Sequence, residues 1–287
     1  MNFRTEPLAP GLYFVGTPIG TARDITLRAL DVLASADVLA AEDTRSLRRL
    51  LEIHGVPLNG RMVLSYHDHS GDGARARLMA ALADGQSVAY ASEAGMPLIA
   101  DPGYALSRAA AEAGHRVTSA PGPTAVVTAL TLAGLPTDAF FFDGFLPSAS
   151  GARRSRLAEL REIPGTLVFY ESPRRVADCL ADAAEILGPD REGVMARELT
   201  KKFEELRRGT LAELADGLRD TQVKGEIVLL VDRRRSVSVS ESDIESDLRE
   251  ALASMRLRDA ADMVSQAHGL PRRQVYQMAL KLEKDGT

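Results

Sequence analysis

Short apolar runs alternate with helical patterns through residues 1–120 of the chain. A repeated succession of strand and helix is typical of a mostly parallel sheet that is covered by helices. The pattern therefore predicts an α/β fold. Asp24 and Asp72 each precede a helical pattern, and we expect their side chains to cap the two helices. The candidate strands are residues 12–15, 38–41, 62–66, 87–91 and 116–119.

The segment 120–124 interrupts this pattern, because two prolines around a glycine cannot continue a central strand or a helix. A second α/β unit is expected after it, with strands at 140–142, 166–170, 193–196 and 227–231. Residues 232–242 read as a solvated linker rather than an edge strand. A helical tail follows, in which Pro271 opens the last helix, and its outline resembles a helix-turn-helix. We predict an N-terminal α/β domain (1–120), a C-terminal α/β domain (121–235), and a linker with a helical tail (236–287).

The composition is that of a globular protein, with 45% hydrophobic and 26% charged residues. No apolar run approaches the roughly 20 residues that span a bilayer, and the first residues lack the apolar core of a signal peptide. We therefore expect a cytoplasmic protein without a membrane partner. Cys179 is the only cysteine, which excludes an internal disulfide. It is expected to be a buried apolar side chain.

The net charge of -5 excludes a strongly basic surface, so a nucleic acid would have to be held by local basic clusters. Each cluster taken alone is more typical of a solvated face. The clusters are Arg45 with Arg48 and Arg49; Arg153 with Arg154 and Arg156; Arg174 with Arg175; Lys201 with Lys202; Arg207 with Arg208; and Arg233 with its two following arginines.

Two loops rich in glycine follow predicted strands. In the first, Gly16-Thr17-Pro18-Ile19-Gly20, glycine lets a ligand approach the backbone closely, although neither a dinucleotide fingerprint nor a P-loop is present. The second, residues 92–103, offers backbone polar groups between apolar side chains, which suits a polar ligand. A rigid hinge is the alternative interpretation of this second loop.

Polar side chains cluster where other predicted strands end. His67 and His69 would share one face of a strand, which raises the possibility of a metal, but no third or fourth ligand is indicated and we predict no metal. The same residues are able to bind a substrate or transfer a proton. The clusters lie at residues 41–45, 66–70, 169–175 and 196–202.

Eight segments occur together in the order and spacing of one family: VGTPIG, AEDTR, HDH, the loop ending in IADPG, PGPTA, FYESP, ARELTK and KGEIV. On these motifs the chain resembles the ribosomal RNA small subunit methyltransferase I family, within the tetrapyrrole methylase-like superfamily. The resemblance covers about residues 11–231, and the helical tail resembles that family too. The chain departs from the family pattern at four positions. Thr21 and Ser70 stand where the family has Asn, Glu93 stands where the family has Asp, and Met96 stands where the family has Thr.

The resemblance implies two α/β domains around a cleft, a homodimer, and S-adenosyl-L-methionine bound in the cleft. The expected cofactor-binding residues are Pro18, Glu93, Gly95, Met96, Pro97, Ile99, Thr124, Ala125, Tyr170 and Ala196. The acceptor would be the 2′-hydroxyl of a cytidine at the decoding centre of 16S ribosomal RNA, in free RNA or in the assembled small subunit.

A ribose hydroxyl is a poor nucleophile at neutral pH, so a general base or a cation that stabilises the developing alkoxide is expected. The candidate bases are Glu42, Asp43, His67, His69, Glu171 and Glu198, and the candidate cations are Arg45, Arg174 and Lys201. The sequence does not choose among them. Two alternatives stay open: a tetrapyrrole ring C-methyltransferase and a non-catalytic RNA-binding module.

Overall fold

The computed structural model of the chain describes residues 2–67, 71–219, 221–233, 241–268 and 270–285. The chain divides into two compact units, Met1–Arg234 and Arg235–Thr287. Within the described residues, the first unit contains two five-stranded sheets. The second unit is helical. The α/β class with a helical tail is confirmed, whereas the division at residues 120 and 235 stays a prediction.

The N-terminal sheet is parallel and has the strand order β3-β2-β4-β1-β5. Its strands agree with those expected from the sequence to within one residue at each end. They are β1 (Gly11–Val15), β2 (Val38–Ala41), β3 (Met62–Ser65), β4 (Ser87–Ala91) and β5 (Val117–Ala120). Three of them, β1, β2 and β4, are buried along their whole length, as expected for strands covered on both faces.

Helices cover both faces of this sheet. They are α1 (Leu27–Ser35), α2 (Thr44–Ile53), α3 (Gly71–Ala83) and α4 (Tyr104–Glu112). One core joins alternate strand residues such as Val15 and Leu39 to Leu30 and Leu47 of α1 and α2. The opposite core joins the intervening strand residues to α3 and α4. Because successive side chains of a strand point to opposite faces, the same strands contribute residues to two separate cores.

The expected cap of the first helix is wrong. Asp24 lies in a short 3-10 turn, Ala22–Asp24, and the side chain of Thr26 accepts the Ala29 N–H at 3.1 Å to cap α1. Asp and Thr side chains are both able to cap a helix. Thr26 is the cap here because it has the extended backbone that an N-cap requires. Asp72 lies one residue inside α3, which begins at Gly71.

The C-terminal sheet is mixed and has the strand order β6-β7-β10-β8-β9. Its strands are β6 (Phe140–Phe145), β7 (Thr166–Glu171), β8 (Glu192–Arg197), β9 (Glu205–Thr210) and β10 (Ile227–Val231). Strands β6 and β7 are parallel, and the other pairs are antiparallel. The sequence did not predict β9, because this edge strand reads ELRRGT and is only partly buried, so it lacks an apolar signal. Charged edge strands of this kind resist pairing with other chains.

Helices also cover both faces of the C-terminal sheet. They are α5 (Ala125–Ala133), α6 (Ser150–Leu160), α7 (Val176–Leu187) and α8 (Leu211–Leu218). Helix α5 packs on one face, against Val168 and Val228 among others. The other three helices pack on the opposite face, where Cys179 is buried as predicted. Burial raises the pKa of its thiol to about 12, so it stays protonated at neutral pH.

The second unit consists of α9 (Glu241–Leu252), α10 (Leu257–His268) and α11 (Arg272–Asp285) in its described part. Leu248, Ala260, Val264 and Val275 lie in its core. Pro271 directly precedes α11, as expected. The expected linker at 232–242 falls largely on residues outside those described. Across the described ranges, no helix is both long and apolar enough to cross a membrane.

Candidate active site

A cavity of about 670 Å³ lies where loops from the two sheets meet, and we call it the main cavity. Its volume falls in the range of about 300–1,000 Å³ that is usual for small-molecule sites. One side is lined by Pro18, Ile19, Gly20, Ser46, Glu93, Ala94, Ala100 and Asp101. The other side is lined by Ala125, Phe145, Tyr170, Glu171, Ser172, Pro173, Leu199, Lys201, Gly225, Glu226, Ile227 and Val228. Strands β4 and β7 therefore open into one site at their carboxyl ends.

Backbone hydrogen bonds fix the two glycine-rich loops to each other. Thr17 donates its N–H to the Gly95 carbonyl at 2.9 Å, and Gly95 returns the bond at 3.1 Å. A Cβ on Gly16 would lie 2.7 Å from the backbone of Gly122 and from the sulfur of Met96. The close approach that the sequence assigned to a ligand is thus made at Gly16 by the chain itself. The Met96 sulfur also accepts the Gly122 N–H at 3.2 Å.

The loop that joins β4 to α4 is held in an unusual backbone conformation. Leu98 and Ala100 have φ values of 71° and 57°, and Gly95 and Gly103 also have positive φ. Non-glycine residues in the left-handed region are strained, and such strain concentrates at functional sites. The conformation leaves Ala94, Ala100 and Asp101 on the wall of the main cavity.

The Asp101 carboxyl, on the wall of the main cavity, has a strongly shifted pKa. Burial, followed by the negative charges of Glu42 and Glu93, raises the pKa of Asp101 to about 6. A carboxyl that titrates near neutrality is suited to proton transfer. Asp101 is not among the candidate bases predicted from the sequence, although it belongs to the IADPG motif.

Aromatic rings line the opposite wall. Tyr170 packs edge-on against Phe142 and Phe145, with ring centroids 4.8 and 5.6 Å apart. Burial and the charges of Asp101 and Glu226 raise the pKa of Tyr170 to about 12. Its hydroxyl therefore keeps its proton at neutral pH and is available as a donor.

An ionic cluster closes one side of the cavity. The Lys201 ammonium donates to Glu198 at 2.9 Å and to Glu226 at 3.1 Å. Burial opposes the charge of Lys201, but these two carboxylates outweigh it and raise the Lys201 pKa. The Glu226 N–H and then Lys201 lower the pKa of Glu198, so this carboxylate is a weak base.

Hydrogen bonds beside this ionic cluster join the two halves of the site. Thr21 donates its N–H to the hydroxyl of Thr200 at 3.2 Å, and its own hydroxyl donates to the Thr200 carbonyl. A Cβ on Gly20 would lie 2.6 Å from Lys201 and 2.7 Å from the Thr200 hydroxyl, so the glycine permits this contact. Thr21, at which the resemblance predicts Asn, thus forms hydrogen bonds with the loop that follows β8.

A hollow of about 500 Å³ adjoins the main cavity and shares Pro18, Gly20, Ser46 and Glu93 with it. We call it the α2 hollow, because α2 supplies much of its wall. Asp43 caps α2 and is paired with Arg45 at 2.8 Å. Hydrogen bonds from Arg45 lower the pKa of Asp43 to about 2, which makes Asp43 a poor proton acceptor at neutral pH.

The other candidate catalytic residues have different surroundings. The Glu171 side chain is fully buried, pairs with Arg175 at 2.9 Å and accepts the Ser172 N–H at 2.7 Å. Arg174 is exposed and is not a lining residue of the main cavity. His67 follows β3, whereas His69 lies outside the described residues. Among the residues that are described, no group of three or more His, Cys, Asp or Glu is arranged to hold a metal.

The expected cofactor-binding residues also divide by position. Pro18, Glu93, Ala125 and Tyr170 line the main cavity. Gly95, Met96, Pro97, Ile99, Thr124 and Ala196 are not among its lining residues. Thr124 caps α5 by accepting the Val127 N–H at 3.1 Å, and Ala196 lies in the core beneath the cavity. The roles of all ten residues stay predictions.

Comparison with known proteins assigns this arrangement to a class. The family model for Tetrapyrrole (Corrin/Porphyrin) Methylases matches residues 11–215, and the model for the RsmI C-terminal HTH domain matches residues 238–283. A crystal structure of diphthine synthase has a TM-score of 0.61 at 17% identity, covering 78% of this chain and 90% of that one. A uroporphyrin-III C-methyl transferase from Thermus thermophilus, complexed with S-adenyl homocysteine, has a TM-score of 0.55 at 19% identity, covering 77% and 97%. The solved structures show the same fold, and the family model, which matches more than half of the chain, defines a methylase of the tetrapyrrole type.

Sequence relatives narrow the class. The ribosomal RNA small subunit methyltransferase I of Mesorhizobium japonicum is 47% identical over 97% of this chain and 94% of its own length. The protein of the same name from Escherichia coli O157:H7 is 42% identical, covering 94% of each chain. The chain belongs to the ribosomal RNA small subunit methyltransferase I family.

Proposed function

We propose that the chain transfers the methyl group of S-adenosylmethionine to the 2′-hydroxyl of a cytidine in 16S ribosomal RNA. The observation that carries the proposal is the main cavity, which combines apolar walls with an excess of carboxylates. Family membership favours RNA over a tetrapyrrole as the acceptor, because the likeness to tetrapyrrole enzymes is below 25% identity and extends to the fold alone.

The residues of the main cavity fit the cofactor. S-adenosylmethionine supplies a methyl group on a positively charged sulfur, and Glu93 and Asp101 provide negative charge on one wall. Ile19, Ala125 and Tyr170 provide apolar surface for the adenosine moiety. Burial, followed by the negative charges of Glu42 and Glu93, raises the pKa of Asp101, and the positive charge of a bound cofactor would favour its carboxylate form.

Methyl transfer from sulfur to oxygen mainly requires alignment and removal of one proton from the hydroxyl. Asp101 is placed on the cavity wall and has a pKa near neutrality, so we assign it the role of general base. Three other candidate bases are less suitable. Asp43 and Glu198 have lowered pKa values, and Glu171 forms an ion pair with Arg175. The protonated Tyr170 hydroxyl is a donor able to stabilise negative charge on the acceptor oxygen, whereas the Lys201 ammonium is already paired with two carboxylates.

The RNA strand is held by the arginines of α2. Arg45 and Arg49 line the α2 hollow, which shares four lining residues with the main cavity, so phosphates bound there would be close to the reacting ribose. Both side chains are exposed and are paired with single carboxylates. Phosphate contacts made by arginine are a major source of affinity for single-stranded RNA.

The double substitution Arg45→Ala/Arg49→Ala is expected to raise KM for the RNA and to leave kcat nearly unchanged. The slope of log KM against log salt concentration should fall by about 0.7 for each lost phosphate contact. Arg108→Ala is the matched control, because Arg108 is 64% exposed and pairs with Glu112, much as Arg49 is 68% exposed and pairs with Glu52. An unchanged salt slope in the double variant would place the RNA elsewhere.

Transfer of radiolabelled methyl groups tests the function itself. Small ribosomal subunits and free 16S RNA, both lacking the modification, are incubated with the chain and labelled cofactor, and the label is mapped by nuclease digestion. Label on one ribose is the expected result, and the better acceptor shows whether assembly of the subunit is required. Binding of cofactor with no transfer to either RNA would favour a non-catalytic RNA-binding module.

The active form in this proposal is a homodimer in the cytoplasm, where the small subunits are assembled. Its support is the resemblance to the family. Sedimentation equilibrium at micromolar concentration is expected to give twice the monomer mass of 30.9 kDa. A concentration-independent mass of one chain would contradict the dimer without affecting the assignment of the reaction.

A further inference from the structure

We propose that Phe145 is a stacking platform for an unpaired nucleobase of the acceptor RNA at the mouth of the main cavity. The inference rests on the proposed function and adds a specificity-determining residue to it. Phe145 lines the main cavity, and its side chain is 58% exposed. Unstacked bases of RNA are commonly recognised by stacking on exposed aromatic rings.

The backbone around Phe145 directs its ring to the cavity. The pairing of β6 with β7 shifts register between Phe142 and Phe145, and Gly144 has a φ of 68° within this irregularity. Bulges of this kind redirect side chains, often beside active sites. A regular strand would give Phe145 the opposite orientation or a different neighbour, so the ring position is a property of the bulge.

The ring also has a rigid support. The Phe145 and Tyr170 rings pack in an edge arrangement, with a centroid distance of 5.6 Å and an interplanar angle of 62°. The next residue, Leu146, is buried, and its carbonyl accepts a hydrogen bond from Arg175 at 2.6 Å. Arg175 is in turn paired with the fully buried Glu171. An aromatic ring held in this way loses little conformational entropy when a base stacks on it.

The charge of the cavity decides what part of a nucleotide the ring receives. Glu93, Asp101 and Glu226 contribute carboxylates to the lining, and Lys201 is already paired with two carboxylates. Phosphates are repelled by such a wall, whereas a neutral base or ribose is not. The base would therefore enter beside Phe145 while the phosphates stay with the arginines of the α2 hollow.

Phe145→Ala tests the platform, with Phe140→Ala as the control. Phe140 is at the other end of β6, is 47% exposed and lines a separate hollow. Loss of one stacked base is expected to raise KM for the RNA by about 5- to 100-fold in Phe145→Ala, with unchanged affinity for S-adenosylhomocysteine. Phe140→Ala should match the unsubstituted chain in both measurements. An equal loss of affinity for S-adenosylhomocysteine would show that the ring packs on the cofactor. A change in sedimentation would show that the ring packs on another copy of the chain. Either result overturns the proposal.

Phe145→Trp gives a readout that does not depend on turnover. The chain contains no tryptophan, so this substitution introduces the only indole. Stacking on a base is expected to quench its fluorescence when a single-stranded fragment of 16S RNA binds, and KM should stay close to that of the unsubstituted chain. Binding and methylation without quenching would refute the platform alone. If the unsubstituted chain methylates no RNA, the proposed function fails, and quenching still reports whether a base reaches the ring.

Discussion

Replacing Asp101 by Asn is expected to lower kcat by about 100- to 10,000-fold, the usual contribution of a general base. The amide has nearly the shape of the carboxyl but cannot accept the proton of the ribose hydroxyl. Because Asp101 lies on the cavity wall, the substitution should leave the fold unchanged. Single-turnover methylation of the RNA measures the effect directly, since it excludes product release.

The pH profile gives a second measure of the same residue. The pKa of Asp101 is raised from 3.8 to about 6, so the reactive carboxylate is lost as pH falls below about 6. We expect log kcat/KM to rise with pH up to this value and then to level off. Saturation with S-adenosylmethionine should move the break to lower pH, because a nearby positive charge favours the carboxylate. The same raised pKa means that the contribution of Asp101 to the stability of the fold falls as pH rises from about 4 to about 6, and Asp101→Asn should remove this contribution.

Glu93→Gln separates proton transfer from simple electrostatics. It removes one negative charge from the same wall of the cavity. Both substitutions are expected to weaken binding of the cationic cofactor more than binding of neutral S-adenosylhomocysteine, but only Asp101→Asn should abolish most of kcat. Similar values of kcat for the two variants would mean that Asp101 acts through its charge and that another group takes the proton.

Replacing Arg153 by Ala is expected to destabilise the fold by about 3–5 kcal/mol, the usual effect of leaving a buried charge without its partner. The Arg153 side chain is 4% exposed, and its guanidinium lies 2.6 Å from Asp182. Asp182 also accepts the hydroxyl of Ser150 at 3.0 Å. The sequence placed Arg153 in a basic cluster on a solvated face. This assignment is wrong for Arg153, because the ion pair joins α6 to α7 inside the unit.

Urea denaturation measures the free energy of unfolding of the variant. Arg154→Ala is the control, because Arg154 is the next residue along the chain, its side chain is 38% exposed, and it pairs mainly with the exposed Glu185. A surface pair of that kind contributes about 0–1 kcal/mol. Removing both charges in Arg153→Met/Asp182→Leu should restore much of the stability lost in Arg153→Ala. A small loss in Arg153→Ala, equal to that of Arg154→Ala, would contradict the buried-pair interpretation.

The sequence alone determined the class of the fold and most of its strands. Strands β1, β2 and β4 are buried on both faces, so their apolar runs are continuous and visible in the local sequence. Strand β9 escaped detection, because it lies at an edge and its stability comes from pairing with β8 rather than from burial. The motifs also indicated the family, since their order along the chain is a property of the sequence.

The tertiary structure decided the chemistry of individual residues. Asp43 and Asp101 are the same residue type in two of the motifs, yet Arg45 lowers the pKa of Asp43 to about 2 and burial beside other carboxylates raises that of Asp101 to about 6. Gly16 makes room for Gly122, which lies more than a hundred residues away in sequence. Phe145 reaches the cavity through a bulge that depends on pairing with β7. These properties depend on desolvation, charge and contact between residues that are distant along the chain, so a local pattern of residues does not contain them.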